Sequence, residues 1–337
     1  MRTQGRSRSG DEAVSVMKII TGRLVGPPPQ GEAAPPTSIA IGNFDGVHRG
    51  HLAVIQRAQK AADENGYASG VLTFDPHPRQ FFAPDGPPFL LMSLGSKMRR
   101  LAALDIDVAF VAAFDTAFAA LSDATFAANV LSERLNARHV VVGEDFCFGA
   151  GRKGDVAKLR EYGQTLGFDV DVVAPIGDAQ PFSSSAARQA LRDGQPQVAK
   201  TILGDWYRVE GHVERGDQRG RELGFPTANL PLDGLWAPAF GVYAVKVEIL
   251  DGDHQGHYHG AASVGVRPQF DKKIPNFETH IFDFDADIYG AAVSIALVTY
   301  LRPERRFSSI EALIEQMRAD CDDARSILAT VESQTTA

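Results

Sequence analysis

Over roughly the first 190 residues, short apolar runs alternate with amphipathic segments. Five runs are nearly continuous in apolar residues and have the length of buried strands: SIAIGNF, GVLTF, VAFVAAF, HVVVGEDF and DVDVVAP. Residues 51–63, 124–135 and 155–166 lie between them and repeat their apolar positions with the period of a helix. An earlier run, MKIITGRL, is separated from the first of these by a Pro-rich loop. This alternation predicts an α/β domain with a doubly wound parallel sheet.

From about Trp206 onward the apolar positions alternate with period two, which is typical of antiparallel strands. The runs are YRVEGHVE, VYAVKVEIL, HGAASVGV, FETHIFDF and VSIALVTYL, and glycine or proline turns separate them. They predict a small antiparallel β-barrel. A terminal helix follows, in which Ser308 and Glu311 have the spacing of a capping box. Its apolar stripe consists of Ile310, Leu313, Ile314, Met317, Cys321 and Ala324.

The change of pattern predicts two domains in the 337-residue chain. Residues 17–195 would form the α/β domain, 196–204 a linker, and 205–330 the barrel domain with the terminal helix. Residues 1–16 contain three arginines and no apolar core. We therefore expect a disordered leader rather than a secretory signal, with Met17 as an alternative start.

Composition narrows the classes of partner. The net charge of −8 argues against a broad nucleic-acid or anionic-membrane interface, because both require a basic face. No apolar run reaches the roughly 18 residues of a membrane span. The two cysteines, Cys147 and Cys321, exclude a disulfide framework and favour the reduced cytoplasm. Local phosphate binding stays compatible with the negative charge, since helix N-termini bind anions. The sequence leaves the oligomeric state open.

The stretch AIGNFDGVHRGH lies where a predicted strand ends and a predicted helix begins. Its His48 and His51 share a face of the first helical turn, where unpaired backbone N–H groups attract anions. Gly50 allows a ligand to approach the backbone, and Asn43 and Asp45 suit the preceding turn. These features suit nucleotidyl transfer. The attacking group is already an anion, so the reaction needs no general base. The site must instead stabilise the charge that builds on the α-phosphate and the departing pyrophosphate. A short motif of this kind is equally compatible with surface histidines or a helix cap.

The stretch GDQRGRELGFPTANL opens the barrel half, and its Gly216 and Gly220 are compatible with a plain hairpin. Thr227 and Asn229 are two residues apart, so in an extended backbone their side chains point the same way. Hydroxyl and amide oxygens suit Mg²⁺ shared with ATP phosphates. Glu278 lies in a strand among apolar neighbours, where most carboxylates simply face solvent. The acidic run DFDAD lacks the glycine and distal glutamate of an EF-hand loop, so a hairpin is predicted there.

Six motifs stand in the order in which they occur in bacterial bifunctional riboflavin kinase/FMN adenylyltransferases (FAD synthetases), and the chain resembles that family over residues 38–326. The motifs are GNFDGVHRGH, TFDPHP, VVGEDFCFGAGRKGD, FSSSAARQAL, GDQRGRELGFPTANL and SVGVRPQFDKKIPNFETHIFDFDADIYG. The resemblance implies a nucleotidyltransferase domain that adenylylates FMN with release of pyrophosphate. It implies a flavokinase barrel that phosphorylates riboflavin to FMN. It also implies ATP as co-substrate, Mg²⁺ as cofactor, and riboflavin, FMN and FAD as ligands.

The resemblance also implies roles for individual residues. In the first domain the ATP contacts would be Gly42, Asn43, Phe44, His48, Gly50, His51, Ser183, Ser184, Ser185 and Arg188, with both histidines catalytic. The flavin contacts would be Phe74, Pro76, His77, Pro78, Asp145, Phe148 and Gly149, together with Arg325 in the terminal helix. In the barrel, nucleotide would contact Gly216, Gly220 and Arg221, the metal would contact Thr227 and Asn229, and the catalytic base would be Glu278.

Several of these residues have a structural alternative. TFDPHP taken alone predicts a turn stiffened by two prolines, and Arg325 taken alone is an exposed helix charge. Ser263 and Gln269 stand where the family usually has asparagine and threonine. Two other functions are compatible with single motifs. One is a nucleotidyltransferase for another phosphorylated cofactor, against which the flavokinase-like half argues. The other is a flavin-binding protein without catalysis, against which the intact candidate catalytic residues argue.

Overall fold

The structure is a computed structural model that describes residues 16–29, 33–177, 180–216, 220, 223–269 and 272–335. The chain divides into two compact units. The first comprises Met1–Phe44, His51–Asp85 and Met98–Pro175, and the second comprises Asp45–Gly50, Gly86–Lys97 and Ile176–Ala337. Two short segments, 45–50 and 86–97, thus pack with the second unit although the neighbouring chain on both sides belongs to the first.

The first unit contains a six-stranded parallel sheet in the order β1-β4-β3-β2-β5-β6. Its strands are β1 Lys18–Gly22, β2 Thr37–Ile41, β3 Ala68–Asp75, β4 Val108–Ala113, β5 Ala137–Gly143 and β6 Asp169–Val173. All five residues of β2 are buried, as expected for a central strand covered on both faces. The strand order reverses between β2 and β5, and ligands bind beyond the carboxyl ends of strands at such a point. The predicted doubly wound sheet is confirmed.

Helices follow the strands of the first sheet. They are α1 Arg49–Asn65, α2 Pro78–Phe82, α3 Leu94–Ala102, α4 Thr116–Ala119, α5 Asp123–Thr125 and α6 Val156–Leu166. The helix predicted over 124–135 is α5 continued by a π-helical segment, Phe126–Arg134. A short 3₁₀ turn, Ala150–Arg152, precedes α6. Helix α6 begins where predicted, because the Asp155 carboxylate accepts the Lys158 N–H at 2.9 Å.

The second unit contains a six-stranded antiparallel sheet in the order β7-β12-β9-β10-β11-β8. Its strands are β7 Arg208–His212, β8 Ala228–Pro231, β9 Gly241–Ile249, β10 Gly256–Gln269, β11 Lys272–Ile281 and β12 Ala292–Pro303. A bridge between Glu214 and Asn229 links the segment after β7 to β8, so the sheet is nearly closed. The predicted barrel is therefore confirmed, and its interior is filled by residues such as Val245, Phe277 and Ile295.

Two details of the second unit differ from the predictions. Residues 196–204, predicted as a linker, include helix α8 (Pro196–Leu203), which follows helix α7 (Ser184–Arg192). The proline occupies the first helical position, where its missing N–H costs nothing, and Ala199, Ile202 and Leu203 are buried in the core. The terminal helix, α9 (Ile310–Thr335), is capped by the hydroxyl of Ser309 rather than Ser308, since Ser309 accepts the Ala312 N–H at 3.2 Å.

Helix α9 covers an outer face of the barrel. Cys321, Ala324 and Leu328 are buried there against Phe282 and Val298. An ion pair ties the helix to β12, because Arg302 donates to both carboxylate oxygens of Asp320 at 2.8 and 2.6 Å. The two side chains are 12% and 7% exposed, so the pair is largely shielded from solvent.

Replacing Asp320 with alanine should destabilise the second unit by about 3–5 kcal/mol, because the Arg302 guanidinium would stay buried without its carboxylate. Urea unfolding followed by tryptophan fluorescence measures this, since both tryptophans, Trp206 and Trp236, lie in the second unit. Glu332→Ala is the control: it removes a more exposed ion pair of the same helix with His259 and should cost about 1 kcal/mol or less. Equal unfolding midpoints for the two variants would contradict the stabilising role.

Candidate active sites

The turn after β2 holds three residues in a left-handed backbone conformation: Phe44 (φ 49°), Gly46 (φ 80°) and Val47 (φ 41°). Bulky side chains rarely adopt positive φ, yet Phe44 and Val47 are both fully buried. The positive φ of Gly46 and a Cβ position only 2.7 Å from the Leu91 side chain both favour glycine there. Packing therefore holds this turn in a strained conformation, a common property of functional sites.

Asp45 anchors the turn within the second unit. Its side chain is 2% exposed and forms an ion pair with the Arg188 guanidinium, which is 13% exposed. Asp45 Oδ1 accepts the Leu91 N–H at 2.8 Å, and the Asp45 carbonyl accepts the Ser184 hydroxyl at 2.8 Å. Burial raises the pKa of the Asp45 carboxyl, while the charges of Arg188 and Lys97 oppose that rise.

His48 belongs to the same unit and is held neutral. Burial, with a smaller contribution from the Arg188 charge, lowers the pKa of His48 to about 4. Gly50 gives the imidazole room, because a Cβ there would lie 3.0 Å from the ring and 3.1 Å from the Phe182 carbonyl oxygen. Near neutral pH the His48 ring therefore offers one N–H donor and carries no charge.

The residues predicted to bind phosphate at the start of α7 have different environments. Ser183 is the N-cap and accepts the Ala186 N–H at 3.1 Å. Ser184 donates to the Asp45 carbonyl, as described above, and Ser185 is exposed. Arg188 is engaged by Asp45 and by the Phe89 carbonyl, which accepts its Nε–H at 2.5 Å. Thus Ser184 and Arg188 make contacts within the protein, whereas Ser185 faces solvent.

Other residues of the first motif lie in the first unit. The Phe44 ring packs edge-on against the His51 imidazole, with centroids 5.2 Å apart. A Cβ on Gly42 would lie 3.1 Å from the Phe44 ring, so glycine leaves space for that ring. The Asn43 carbonyl accepts a hydrogen bond from the Thr73 hydroxyl at 3.1 Å, and Asn43 is exposed. The structure therefore brings Gly42, Phe44 and His51 together.

A cluster of phenylalanines lies at the carboxyl ends of β3, β4 and β5 in the first unit. Phe74 contacts Phe114 and Phe118, each with centroids 5.8 Å apart. The Phe126 ring lies between those of Phe118 and Phe148, with centroid distances of 6.2 Å to Phe118 and 5.4 Å to Phe148. The predicted flavin contacts Phe74 and Phe148 thus belong to one cluster. Its other members were not predicted from the sequence; they are Phe81, Phe82, Phe114, Phe118, Phe126 and Phe146. Phe114 could have been found, since it is the last residue of the predicted strand VAFVAAF.

The TFDPHP segment runs from the end of β3 to the first residue of α2. His77 is the N-cap: its Nδ1 accepts the Arg79 N–H at 3.0 Å, and its own N–H donates to Gln80 Oε1 at 3.3 Å. Pro78 is the first helical residue, where proline is favoured, and Pro76 precedes the cap on an exposed surface. These contacts agree with the interpretation of TFDPHP as a turn. A flavin contact by the same residues stays a prediction.

The loop after β5 closes on itself. Phe148 and Gly154 exchange main-chain hydrogen bonds of 3.0 and 2.9 Å. Gly149 has a φ of 72°, and a Cβ there would lie 2.5 Å from the Asp123 nitrogen. Glycine is therefore required for packing against α5, independently of any ligand. Asp145, at the start of this loop, is exposed.

In the barrel, the register brings the predicted kinase residues together. Glu278 on β11 stands directly opposite Asn229 on β8. The Asn229 amide donates to the Thr227 carbonyl at 3.3 Å, which orients its side chain. Asn276, two residues before Glu278 on the same face of β11, donates to Glu278 Oε1 at 2.7 Å and to Asn229 Oδ1 at 3.5 Å. Ser263, the departure from the family pattern, pairs with Glu278 from β10.

Thr227 and Asn229 line a cleft of about 620 Å³, its open mouth included. Its other walls are Val213, Gly216, Pro226, Ala228, Ile281 and residues 284–289. Gly220 lies nearby, and its carbonyl accepts the Phe225 N–H at 2.7 Å. A Cβ on Gly220 would approach the Phe225 carbonyl oxygen to 2.4 Å, so this position also requires glycine. Arg221 lies outside the described residues.

Arg325 of α9 packs on the barrel. Its guanidinium lies 4.0 Å from the centroid of the Phe282 ring and donates to Asp283 Oδ1 at 3.0 Å. Its side chain is 44% exposed, so both the flavin contact and the exposed helix charge remain compatible with its position.

Two polar residues were missed by sequence analysis. Asn276 could have been found, because it is two residues from Glu278 in a strand and therefore shares its face. Lys97 gave no signal in the sequence. It is 5% exposed, and its charge acts on the buried Asp45 carboxyl.

Within the part of the chain that the structure describes, no three His, Cys, Asp or Glu side chains are grouped so that they could hold a metal ion. Among these same residues, no helix combines the length and apolarity that crossing a bilayer requires.

Comparison with known proteins defines the class of each half. Residues 31–187 match the family model described as FAD synthetase, and residues 203–328 match the model described as riboflavin kinase. The fold also resembles a crystal structure described as a macrolide-efflux protein from Streptococcus pneumoniae. That comparison has a TM-score of 0.77 and 33% identity, and covers 89% of this chain and 97% of the other.

Full-length relatives contain both halves in one chain. The bifunctional riboflavin kinase/FMN adenylyltransferase of Escherichia coli (strain K12) is 38% identical over 283 residues, which cover 84% of this chain and 90% of the relative. That of Bacillus subtilis (strain 168) is 37% identical over 298 residues, covering 85% and 90%. The chain belongs to the bifunctional riboflavin kinase/FMN adenylyltransferase family.

The His48 imidazole should titrate at about pH 4. Proton NMR of the His48 ring, assigned with a His48→Gln spectrum, measures the midpoint. The folded pKa lies below the unfolded value of about 6.5, so stability is present above that pH and is lost as pH falls toward 4. Arg188→Gln should raise the midpoint, because a neighbouring cation disfavours the imidazolium. A midpoint near 6.5 in the wild type would contradict the buried neutral state.

Proposed function

We propose that this chain converts riboflavin to FAD in two successive steps, phosphorylation in the barrel and adenylylation at the site after β2. The observation that carries the kinase assignment is the register that places Glu278 beside Asn229. Membership of the bifunctional family supports the pairing of the two activities. FMN, the product of the first step, is the substrate of the second. Two free cysteines without a pairing pattern favour the cytoplasm as the location.

In the kinase step, Glu278 acts as general base. The 5′-hydroxyl of riboflavin gives its proton to the Glu278 carboxylate as its oxygen attacks the γ-phosphorus of ATP. The bond between the γ-phosphorus and the bridging oxygen breaks, which gives FMN and ADP. The hydrogen bond from Asn276 orients the carboxylate for this role.

Thr227 and Asn229 fit a magnesium ion by the chemistry of their donors. Both contribute neutral oxygen atoms, which are ligands that Mg²⁺ accepts alongside substrate phosphates. Both residues line the cleft. The Asn229 amide nitrogen donates to the Thr227 carbonyl, and this hydrogen bond fixes the orientation of the side-chain oxygen of Asn229. When bound, the ion would neutralise charge on the ATP phosphates.

In the adenylyl-transfer step, an oxygen of the FMN phosphate attacks the α-phosphorus of ATP, and the bond to the departing pyrophosphate breaks. The nucleophile is already an anion, so the step needs no general base. His48, with its pKa lowered to about 4, suits a hydrogen-bond donor to phosphate and not a proton acceptor. His51 would make a second phosphate contact. The phenylalanine cluster around Phe74 and Phe148 would pack against the flavin ring system.

The assay that tests this function supplies riboflavin, ATP and Mg²⁺ and separates the products by chromatography. Successive appearance of FMN and then FAD is the expected result. FAD from added FMN, with none from riboflavin, would contradict the kinase assignment. Flavin retained without turnover would contradict both assignments and favour a binding protein.

Glu278→Gln should abolish FMN formation yet leave the conversion of FMN to FAD within about 2-fold of wild type, because it removes only the base of the kinase step. His51→Ala should do the reverse. Each variant is the control for the other when both half-reactions are assayed in one preparation. If either change removed both activities in a folded protein, the assignment of one site to each activity would be wrong.

Thr227→Ala should raise the Mg²⁺ concentration needed for half-maximal kinase rate, because one oxygen ligand is lost. A magnesium titration at saturating ATP and riboflavin measures the shift. Thr227→Ser keeps the hydroxyl and is the matched control, with an expected titration close to wild type. Superimposable titrations of the alanine and serine variants would remove Thr227 from the metal site.

A further inference from the structure

Three polar side chains of β11 lie on one face of that strand. Asn276, Glu278 and His280 follow one another at intervals of two residues, so they project to the same side. The Asn276 amide donates to Glu278 and to Asn229, as the site geometry shows. His280 contacts the same neighbouring segment, because its Nδ1 lies 2.9 Å from the Pro226 carbonyl oxygen. This face of β11 therefore reaches Pro226 as well as Asn229.

The His280 imidazole is fixed by packing as well as by its hydrogen bond. A carbonyl oxygen only accepts hydrogen bonds, so Nδ1 carries the proton in the contact with Pro226. The half-buried ring packs edge-on against two buried phenylalanines. Its centroid lies 5.3 Å from that of Phe225 and 5.9 Å from that of Phe282. The direction in which Nδ1–H points is thereby set.

The Pro226 carbonyl controls how the chain enters Thr227. It belongs to the peptide group that joins the two residues, and a peptide group is planar. The pairing of β8 with β11 starts only at Ala228, and Pro226 has no N–H to contribute. After Thr227, the Asn229 amide donates to the Thr227 carbonyl at 3.3 Å. Side-chain hydrogen bonds on both sides of Thr227 therefore set its position.

We propose that His280 is a positioning residue for the phosphorylation of riboflavin, whose hydrogen bond to the Pro226 carbonyl holds Thr227 in place opposite Glu278. This inference rests on the proposed function of the barrel. His280 and Glu278 lie on the same strand, so the imidazole ties the predicted metal ligand to the strand that carries the base. The family resemblance gives His280 no role. A displacement of about 1 Å in a reacting assembly costs up to about 100-fold in rate.

His280→Phe is the central variant, because it removes the donor and keeps a ring of similar size against Phe225 and Phe282. It should lower kcat for riboflavin phosphorylation about 10-fold and raise the Mg²⁺ concentration for half-maximal rate at least about 3-fold. KM for riboflavin should stay within about 2-fold, since the change does not remove a substrate contact. Conversion of FMN to FAD in the same preparation should stay within about 2-fold of wild type.

His280→Asn separates the hydrogen bond from ring packing. Its amide nitrogen is as many bonds from Cα as Nδ1 is, so it keeps a donor and loses the ring. It should bring kcat and the magnesium titration to within about 3-fold of wild type. A purely structural role of the ring predicts the opposite order, with phenylalanine tolerated and asparagine harmful.

His259→Phe is the matched control. It makes the same exchange at a half-buried imidazole of the neighbouring strand β10, whose Nε2 lies 2.8 Å from Glu332 Oε1 on α9. It should leave kcat and the magnesium titration of the kinase step unchanged. Urea unfolding followed by tryptophan fluorescence reports whether each variant is folded.

Metal binding without turnover gives an independent measurement. Mn²⁺ is added to the protein with ADP and without riboflavin, and the EPR signal of the free ion gives the dissociation constant. His280→Phe should weaken binding at least about 3-fold, while His280→Asn and His259→Phe stay within about 2-fold of wild type. All variants have the same first domain, so differences between them arise in the barrel.

A double-mutant cycle with Thr227→Ala tests whether His280 acts through Thr227. In the Thr227→Ala background, His280→Phe should raise the Mg²⁺ requirement by less than it does in wild type, because the ligand that it positions is already gone. Strictly multiplicative shifts would overturn the proposal.

Other outcomes would also overturn it. One is a folded His280→Phe variant with normal kcat and a normal magnesium titration. Another is an equal loss in the phenylalanine and asparagine variants. If His280→Phe does not fold, His280→Asn decides, and a kcat more than about 10-fold below wild type counts against the proposal. A wild-type protein that makes no FMN from riboflavin would instead contradict the proposed function, so the two failures are distinguishable.

Discussion

The buried ion pair between Asp45 and Arg188 is the constraint on which the turn after β2, with the candidate site residue His48, depends. A carboxylate that is 2% exposed stays ionised only where cations and hydrogen-bond donors replace the water it has lost. Arg188 and the Leu91 N–H supply these partners, and the same contacts hold the strained turn that leads to His48. An apolar pair of similar size could fill the space with less desolvation. What the ions contribute is therefore orientation.

The fold was largely predictable because each half has its own hydrophobic period. The exceptions are elements in which the hydrophobic pattern is too short or is interrupted. Strand β8 has only four residues, follows a glycine-rich loop and ends at Pro231, so no alternation could develop. Residues 196–204 are predicted as a linker, yet Pro196 occupies the first position of helix α8, where proline is favoured. The π-helical segment Phe126–Arg134 has the same apolar texture as an α-helix, and only its hydrogen bonds separate them.

The candidate sites were predictable where their chemistry is local in sequence, as for His48 and His51 or for Thr227 and Asn229. Contacts that join distant segments carried no such signal. No periodicity relates Asp45 to Arg188 or to Lys97, and pairing them required the folded chain. The positive φ of Phe44 and Val47 was equally hidden, because neither residue type favours that conformation. Strained backbone of this kind is set by surrounding packing, so a local pattern cannot reveal it.

The second unit is built from three separate segments of the chain, and this affects the order in which the chain folds during synthesis. Segments 45–50 and 86–97 leave the ribosome early, yet the residues that pack with them belong to the stretch 176–337. Helix α9 is made after the barrel strands and still supplies Cys321, Ala324 and Leu328 to the outer core of the barrel. A nascent chain can therefore assemble the first sheet while it is being translated. Its second unit is completed only once α9 has been made, so a premature stop codon within α9 would leave the barrel with an uncovered apolar face.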